Sequence, residues 1–239
     1  MKLVARILMG SQNYRLDGPD SDFDYKLLMM PDFNDFYTYH KVEKNDLPEG
    51  YDPEHNSVMS VLTFDKNVRK GNINAIELVF SKYYKSDGDI DIYLDAAVRA
   101  YSEGYIFIVW DSFMATVEGM IKNSRDRYGV NRKSASRAMY LINLCRFVAE
   151  HDFAMDRCTW GYKEVFSAAR ELRFNEEVEL PTKEAIFAAF EDMKHFADDC
   201  RNYHRLMYSE SELSLIAAWD DDLANCMKSI VKGYLKKEL

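Results

Sequence analysis

The spacing of apolar residues changes character near residue 87. Upstream, residues 2–9 form an apolar run containing Lys2 and Arg6, too short to cross a membrane and ending at Gly10, which supplies a turn. Residues 22–30 read as a strand, and the period of two puts Asp22, Asp24 and Lys26 on one face and Phe23, Tyr25 and Leu27 on the other. From Pro31 to residue 57 the chain is polar, aromatic and turn-rich: Asn34, Asp35, Asn45-Asp46, Pro48, Gly50 and Asp52-Pro53 break any long period, so a loop with short extended pieces is expected. Its aromatic residues Phe33, Phe36, Tyr37, Tyr39 and Tyr51 could stack on a base or pin the loop to the core. Residues 57–71 begin strand-like and turn helical from Phe64, with Gly71 as the stop. Residues 75–80 read as a second strand, with Ile76, Leu78 and Phe80 facing one way and Glu77 sharing the other face with Ala75 and Val79.

Ser86-Asp87-Gly88-Asp89 reads as a hinge, beyond which the period is helical almost throughout. The expected helices are 90–102, 105–123, 132–151, 161–174, 182–207 and 210–236. Pro181-Thr182-Lys183-Glu184 and Ser209-Glu210-Ser211-Glu212 carry start signals for the last two. There is no internal repeat and no low-complexity tract. The pattern predicts an α+β chain, a small half of strands and helices over residues 1–86 followed by a mostly α-helical half over residues 87–239.

A chain of 239 residues with a hydrophobic fraction of 47% buries a real core. Its net charge of −9 argues against gripping nucleic acid through a broad basic surface, so any polynucleotide is held locally. Cys145, Cys158, Cys200 and Cys226 have no zinc-type spacing and read as reduced core thiols of a cytoplasmic protein. No signal peptide and no membrane span are expected, and the mature chain is expected to start at Met1.

Candidate chemistry concentrates in residues 10–26, where a glycine-serine turn precedes two carboxylates one residue apart. On one face of a strand Asp22 and Asp24 repel each other, and Lys26 offsets part of that repulsion. A divalent cation removes it, since Mg²⁺ commonly binds through one or two carboxylates plus substrate phosphates. Gly10 and Ser11 would offer backbone N–H groups and a hydroxyl to a triphosphate. Glu77, costly between apolar neighbours unless partnered, is the candidate third metal ligand; the alternative is an ion pair with Arg69 or Lys82. Lys122, Arg125, Arg127, Arg132, Lys133 and Arg137 form a basic island in an acidic chain, read either as a phosphate-facing cluster or as a solvated helix junction.

Gly10-Ser11, ten intervening residues and then Asp22-x-Asp24 resembles the signature of the DNA polymerase β-like nucleotidyltransferase superfamily. Pro19 to Asp24 and Asn72 to Ser81 look like the predicted nucleotidyltransferases found beside RNA ligases in bacteria and phages. The resemblance covers roughly residues 1–85. It implies a small mixed-sheet nucleotidyltransferase domain followed by the helical domain, with a third carboxylate on a neighbouring strand, here Glu77. It also implies an ATP-type nucleoside triphosphate as donor and Mg²⁺ or Mn²⁺ held by Asp22, Asp24 and Glu77. In this reading Gly10, Ser11 and Lys26 bind the nucleotide, and Lys133 and Arg137 neutralise the leaving group. Lys133 matches a family lysine loosely; the histidine and arginine expected just downstream stand here as Arg137 and Tyr140. The acceptor implied is an RNA end. A protein hydroxyl is the rival, because the same spacing looks like that of minimal nucleotidyltransferase antitoxins that transfer AMP to a partner toxin. A non-catalytic nucleotide-binding protein is the reading from another class, and it gains if Glu77 stands away from Asp22 and Asp24.

Other patterns lead nowhere. Arg146 and His151 have the spacing of HEPN-type ribonucleases, but Phe147 stands where a polar residue belongs, and His151 reads as a cation at a helix C-terminus. Asp220-Asp221-Asp222 reads as exposed helix surface.

Overall fold

The N-terminal apolar run forms strand β1, Lys2–Met9, which pairs antiparallel with β2, Asp24–Met30. This computed structural model describes residues 1–19, 21–38, 42, 46–156 and 158–238; Asp20, Tyr39 and Asn45 lie outside them, as do the side chains of Phe36 and Tyr37. β2 starts at Asp24, so Asp22 belongs to the loop before the strand instead of sharing a strand face with Asp24. A crossover containing the short helix α1, Phe33–Thr38, leads to β3, Asn56–Ser60, which lies parallel to β2 as a connection of that length permits. β4, Tyr84–Ser86, adds antiparallel to the other side of β1, and the mixed sheet runs β3-β2-β1-β4. Leu27 to Met30 are all buried, as in a strand covered on both faces.

Helix α2, Val61–Arg69, starts three residues before the expected Phe64, because the Ser60 hydroxyl accepts the Thr63 N–H and caps it. Gly71, at φ +71°, lets the chain leave it. Residues 75–80 are not a strand: they belong to helix α3, Ile73–Phe80, capped by the Asn72 side chain on the Asn74 N–H. The reason is burial on every side. Ile73 and all residues from Ala75 to Phe80 are buried, and a short run that is apolar all round has no period to separate helix from strand.

Gly88, at φ +91°, precedes α4, Asp89–Ser102, followed by α5, Tyr105–Asn123, and α6, Arg132–Glu150. Then come α7, Lys163–Phe174, α8, Lys183–Met207, and α9, Glu210–Glu238. Thr182 caps α8 through the Ala185 N–H. Ser209 and Glu212 exchange hydrogen bonds as a capping box ahead of α9. The architecture is α+β, strands first and helices after. Buried apolar residues on both sides of residue 86 belong to one cluster that runs from Val4 to Tyr234. α9 is tied back by Asp220, whose carboxylate takes the Arg69 guanidinium at 3.1 Å and the Tyr105 hydroxyl at 3.0 Å, so this aspartate is a partnered group, not bare helix surface. Among the described residues no single helix is long and apolar enough to cross a membrane.

Candidate functional site

Where β1 ends the chain turns through Gly10, at φ +84°, into a short 3-10 segment, Gly10–Gln12. A buried carboxylate holds this turn. Glu77, 1% exposed on α3, accepts the Gly10 backbone N–H on Oε1 and the Tyr14 hydroxyl on Oε2. Asn13 Nδ2 donates to the same Oε1 at 3.1 Å and to the Leu8 carbonyl at 2.8 Å. Burial pushes the Glu77 carboxyl up from its ordinary value, while the Tyr14, Gly10 and Asn13 donors and the Arg137 charge pull it down without cancelling the rise.

The turn is also gripped from the helical half. The Tyr14 ring lies 4.9 Å from Tyr140 on α6 and 5.7 Å from Trp160, and the Arg137 guanidinium sits 5.7 Å from its centroid. Burial and the neighbouring Glu77 charge push the Tyr14 phenol well above its usual range, with Arg137 opposing. Lys26, half-buried on β2, is lowered by burial and raised by the Glu77 charge. The Lys26 and Arg137 charges, one from each half of the chain, thus both act on this carboxylate.

Asp24 stands beside Gly10: a Cβ built on that glycine would lie 3.5 Å from Asp24 Oδ2. Its side chain is exposed, with His55 Nδ1 at 3.9 Å from Oδ1. Asp22 lines a cavity of about 750 Å³ together with Arg6, Tyr25, Tyr51 and Asp52. The Arg6 guanidinium stacks on Tyr25 at 3.7 Å and reaches Tyr51 at 5.6 Å, which pins the 46–55 segment to the sheet.

The expected residues are therefore brought together in part. Gly10, Asp24, Glu77 and Arg137 stand at the β1–β2 turn, and Lys26, on β2 two residues after Asp24, feels the Glu77 charge. Ser11 follows Gly10 there and gives its carbonyl to the Leu16 N–H. Lys133 lies exposed in the first turn of α6, one helical turn before Arg137. Two expectations change. Glu77 sits on a helix, not a strand, and both its oxygens accept hydrogen bonds from the protein; and the Gly10 N–H goes to Glu77, not to a phosphate. The strands beside β2 are β1 and β3, and neither Lys2–Met9 nor Asn56–Ser60 includes a carboxylate.

As a cation site, Asp22 and Asp24 offer exposed carboxylates of the kind that hold Mg²⁺ when phosphate oxygens complete its shell. With Glu77 they do not form a group whose ligand atoms all lie within 4.8 Å; among the described residues Asp52, Glu54 and His55 do. Those three lie at the surface, where carboxylates commonly gather without a cation.

Sequence reasoning passed over Asn13, Tyr14 and Trp160. Asn13 and Tyr14 directly follow the glycine-serine pair, and a donor-bearing pair after a turn glycine is the signal that points to them. Trp160 has no local signal, since it reaches the turn only through tertiary packing. Compared with protein-family models, curated proteins and solved structures, the chain matches none.

Proposed function

We propose that the protein is a metal-dependent nucleotidyltransferase that moves a nucleoside monophosphate from a nucleoside triphosphate to a hydroxyl acceptor. The observation that carries this reading is the position of Asp24, an exposed carboxylate beside Gly10 at a turn that Glu77 holds in shape, with the Lys26 and Arg137 charges acting on that same Glu77. Held by Asp22 and Asp24, Mg²⁺ or Mn²⁺ would supply charge neutralisation at the triphosphate.

The protein's own groups carry the rest. Ser11 and the turn position the phosphates, Lys26 and Arg137 offset charge that develops on the leaving group, and Lys133 extends that positive side. Glu77 fixes the turn through Gly10, Asn13 and Tyr14 and is a positioning residue. An RNA end is the preferred acceptor, a protein hydroxyl the rival. The unpaired cysteines suit a reducing compartment, so a cytoplasmic site of action is part of the proposal.

A second reading, a non-catalytic nucleotide binder, is favoured by one observation: β3 brings no carboxylate to the pair on and before β2. The test incubates the protein with Mg²⁺ or Mn²⁺ and each labelled nucleoside triphosphate, against RNA and cell-extract protein, beside the Asp22→Asn/Asp24→Asn double variant. Label in RNA or protein that disappears in the double variant supports transfer and names the acceptor. Turnover retained by the double variant overturns the site, and nucleotide binding without any transfer leaves the binder.

A further inference from the structure

Beside the β1–β2 turn lies a cavity of about 440 Å³ whose rim carries two aromatic side chains left largely in solvent, Phe23 at 57% and Tyr83 at 65% exposure. Single exposed rings are ordinary on a protein surface, but these two line one cavity. Lys82 and Arg15 line the same cavity. At its inner wall Trp160 is 4% exposed, and its indole N–H, a group that only donates, has no acceptor.

The aromatic and basic pattern continues onto α7. Arg15 lies 5.9 Å over the Phe166 ring; Arg170 and Arg173 lie 5.1 and 5.4 Å over Phe174, which is 45% exposed. Gly18, Phe166, Arg170 and Phe174 line a neighbouring cavity of about 670 Å³. The two cavities meet at the 15–18 segment, where Arg170 Nη1 donates to the Arg15 carbonyl at 2.7 Å and the Asp17 carbonyl at 3.2 Å. Close packing builds this junction. Arg15 holds a left-handed backbone at φ +54°, unusual for a residue with a side chain, and its guanidinium is so near Gly161 that a Cβ there would lie 2.9 Å from Nε. A Cβ on Gly18 would likewise lie 2.9 Å from the Phe174 ring.

We infer that this track, from Tyr83 and Phe23 across Arg15 to Arg170 and Phe174, binds single-stranded nucleic acid. Rings interleaved with arginines and a lysine meet both needs of a flexible strand: bases stack on the rings while cations follow the phosphates, with no sequence read. Arg15, Lys82 and Arg170 line the two cavities together with Asp17, Glu77 and Glu171, and Arg173 over Phe174 adds a fourth cation, so the track is close to charge-balanced on an acidic chain and its grip on a strand rests chiefly on the rings. The inference rests on the nucleotidyl-transfer reading only in naming the bound strand as acceptor; binding itself requires neither triphosphate nor metal.

The test measures fluorescence anisotropy of labelled oligo(rU) and oligo(dT) of about 12 nucleotides, a length within the range such surfaces cover. It uses the full chain in EDTA over a salt series. Binding of either strand supports the inference, and the tighter one names the strand. Tyr83→Ala, at an exposed ring, weakens binding about tenfold, the loss of one base stack. Lys82→Gln lowers the slope of log affinity against log salt by about 0.7, one phosphate contact on a single strand. Both variants keep the wild-type melting temperature. No binding at low salt, binding indifferent to both substitutions, or competition by AMP as strong as by the oligonucleotide overturns the inference. Strand binding that persists in the Asp22→Asn/Asp24→Asn variant while no transfer is found in either protein upholds the track and removes the transferase reading, so the two fail separately.

Discussion

Glu77→Ala tests whether the buried carboxylate is the anchor of the turn. The substitution removes the acceptor of the Gly10 N–H and of the Tyr14 hydroxyl, while Asn13 keeps its second bond to the Leu8 carbonyl. A buried donor left without a partner costs about 1–3 kcal/mol, so two donors imply about 2–6 kcal/mol. Relief of the buried charge places the expected loss near the lower half, about 3 kcal/mol. For a chain of this length that corresponds to a fall in melting temperature of about 6–12 °C. The assay is thermal and urea unfolding followed by circular dichroism at pH 7, in EDTA and again in Mg²⁺. An anchor gives the same loss in both. A loss under about 1 kcal/mol, or one seen only in the presence of Mg²⁺, would refute the reasoning and return Glu77 to the metal-ligand role suggested by the sequence.

Glu77→Gln addresses the proton on the same group. Because the folded carboxyl is raised above its ordinary 4.5, the folded state holds this proton more tightly than the unfolded chain. Its contribution to stability is therefore complete below about pH 4.5 and is lost as pH rises through the folded value. Glu77→Gln removes that decline, and urea midpoints measured from pH 4 to 8 fall less steeply for the variant than for the wild type. Gly10→Ala meets no steric block, since its Cβ would lie 3.5 Å from Asp24 Oδ2, but φ +84° strains any side-chain-bearing residue. The expected loss is about 1–2 kcal/mol, unaltered by adding Asp24→Ala; rescue by the second change would show that the cost is a contact and not the backbone. Asp220→Ala frees α9 from Arg69 and Tyr105 at a site half open to solvent, so about 1 kcal/mol is expected. Hydrogen exchange should quicken in α9 around Asp220 and stay unchanged in β1 and β2, and unchanged exchange in α9 would count against the tether.

The helical half was legible because its signals are local. Thr182 and the Ser209–Glu212 pair announce the starts of α8 and α9, and a 3.6-residue stripe needs no knowledge of distant neighbours. The turn at Gly10 was legible for the same reason, and so was the apolar run before it, though not that this run is a strand. Helix α3 was not. Ile76, Leu78 and Phe80 alternate with Ala75, Glu77 and Val79, which suits a strand facing one layer; surrounding all of them with core is a tertiary fact that no window of eight residues contains. The strand-like start at residue 57 was legible as well and is β3, but its parallel pairing with Tyr25 to Met29 is again a tertiary fact.

Glu77 shows how an expectation can name the right residue and place it on the wrong element. A carboxylate in an apolar run needs partners, and that physical demand is visible from sequence alone. What satisfies it depends on which element carries it. On a strand next to Asp24 it would face a cation; on α3, beneath the turn, it meets three protein donors from Gly10, Asn13 and Tyr14. Tyr14 then passes the constraint to Tyr140 and Trp160, so the shape of the turn depends on residues more than a hundred positions away. The glycine-serine segment is thus held by a carboxylate from the first half and an aromatic grip from the second. Any chemistry at Asp24 inherits its geometry from both.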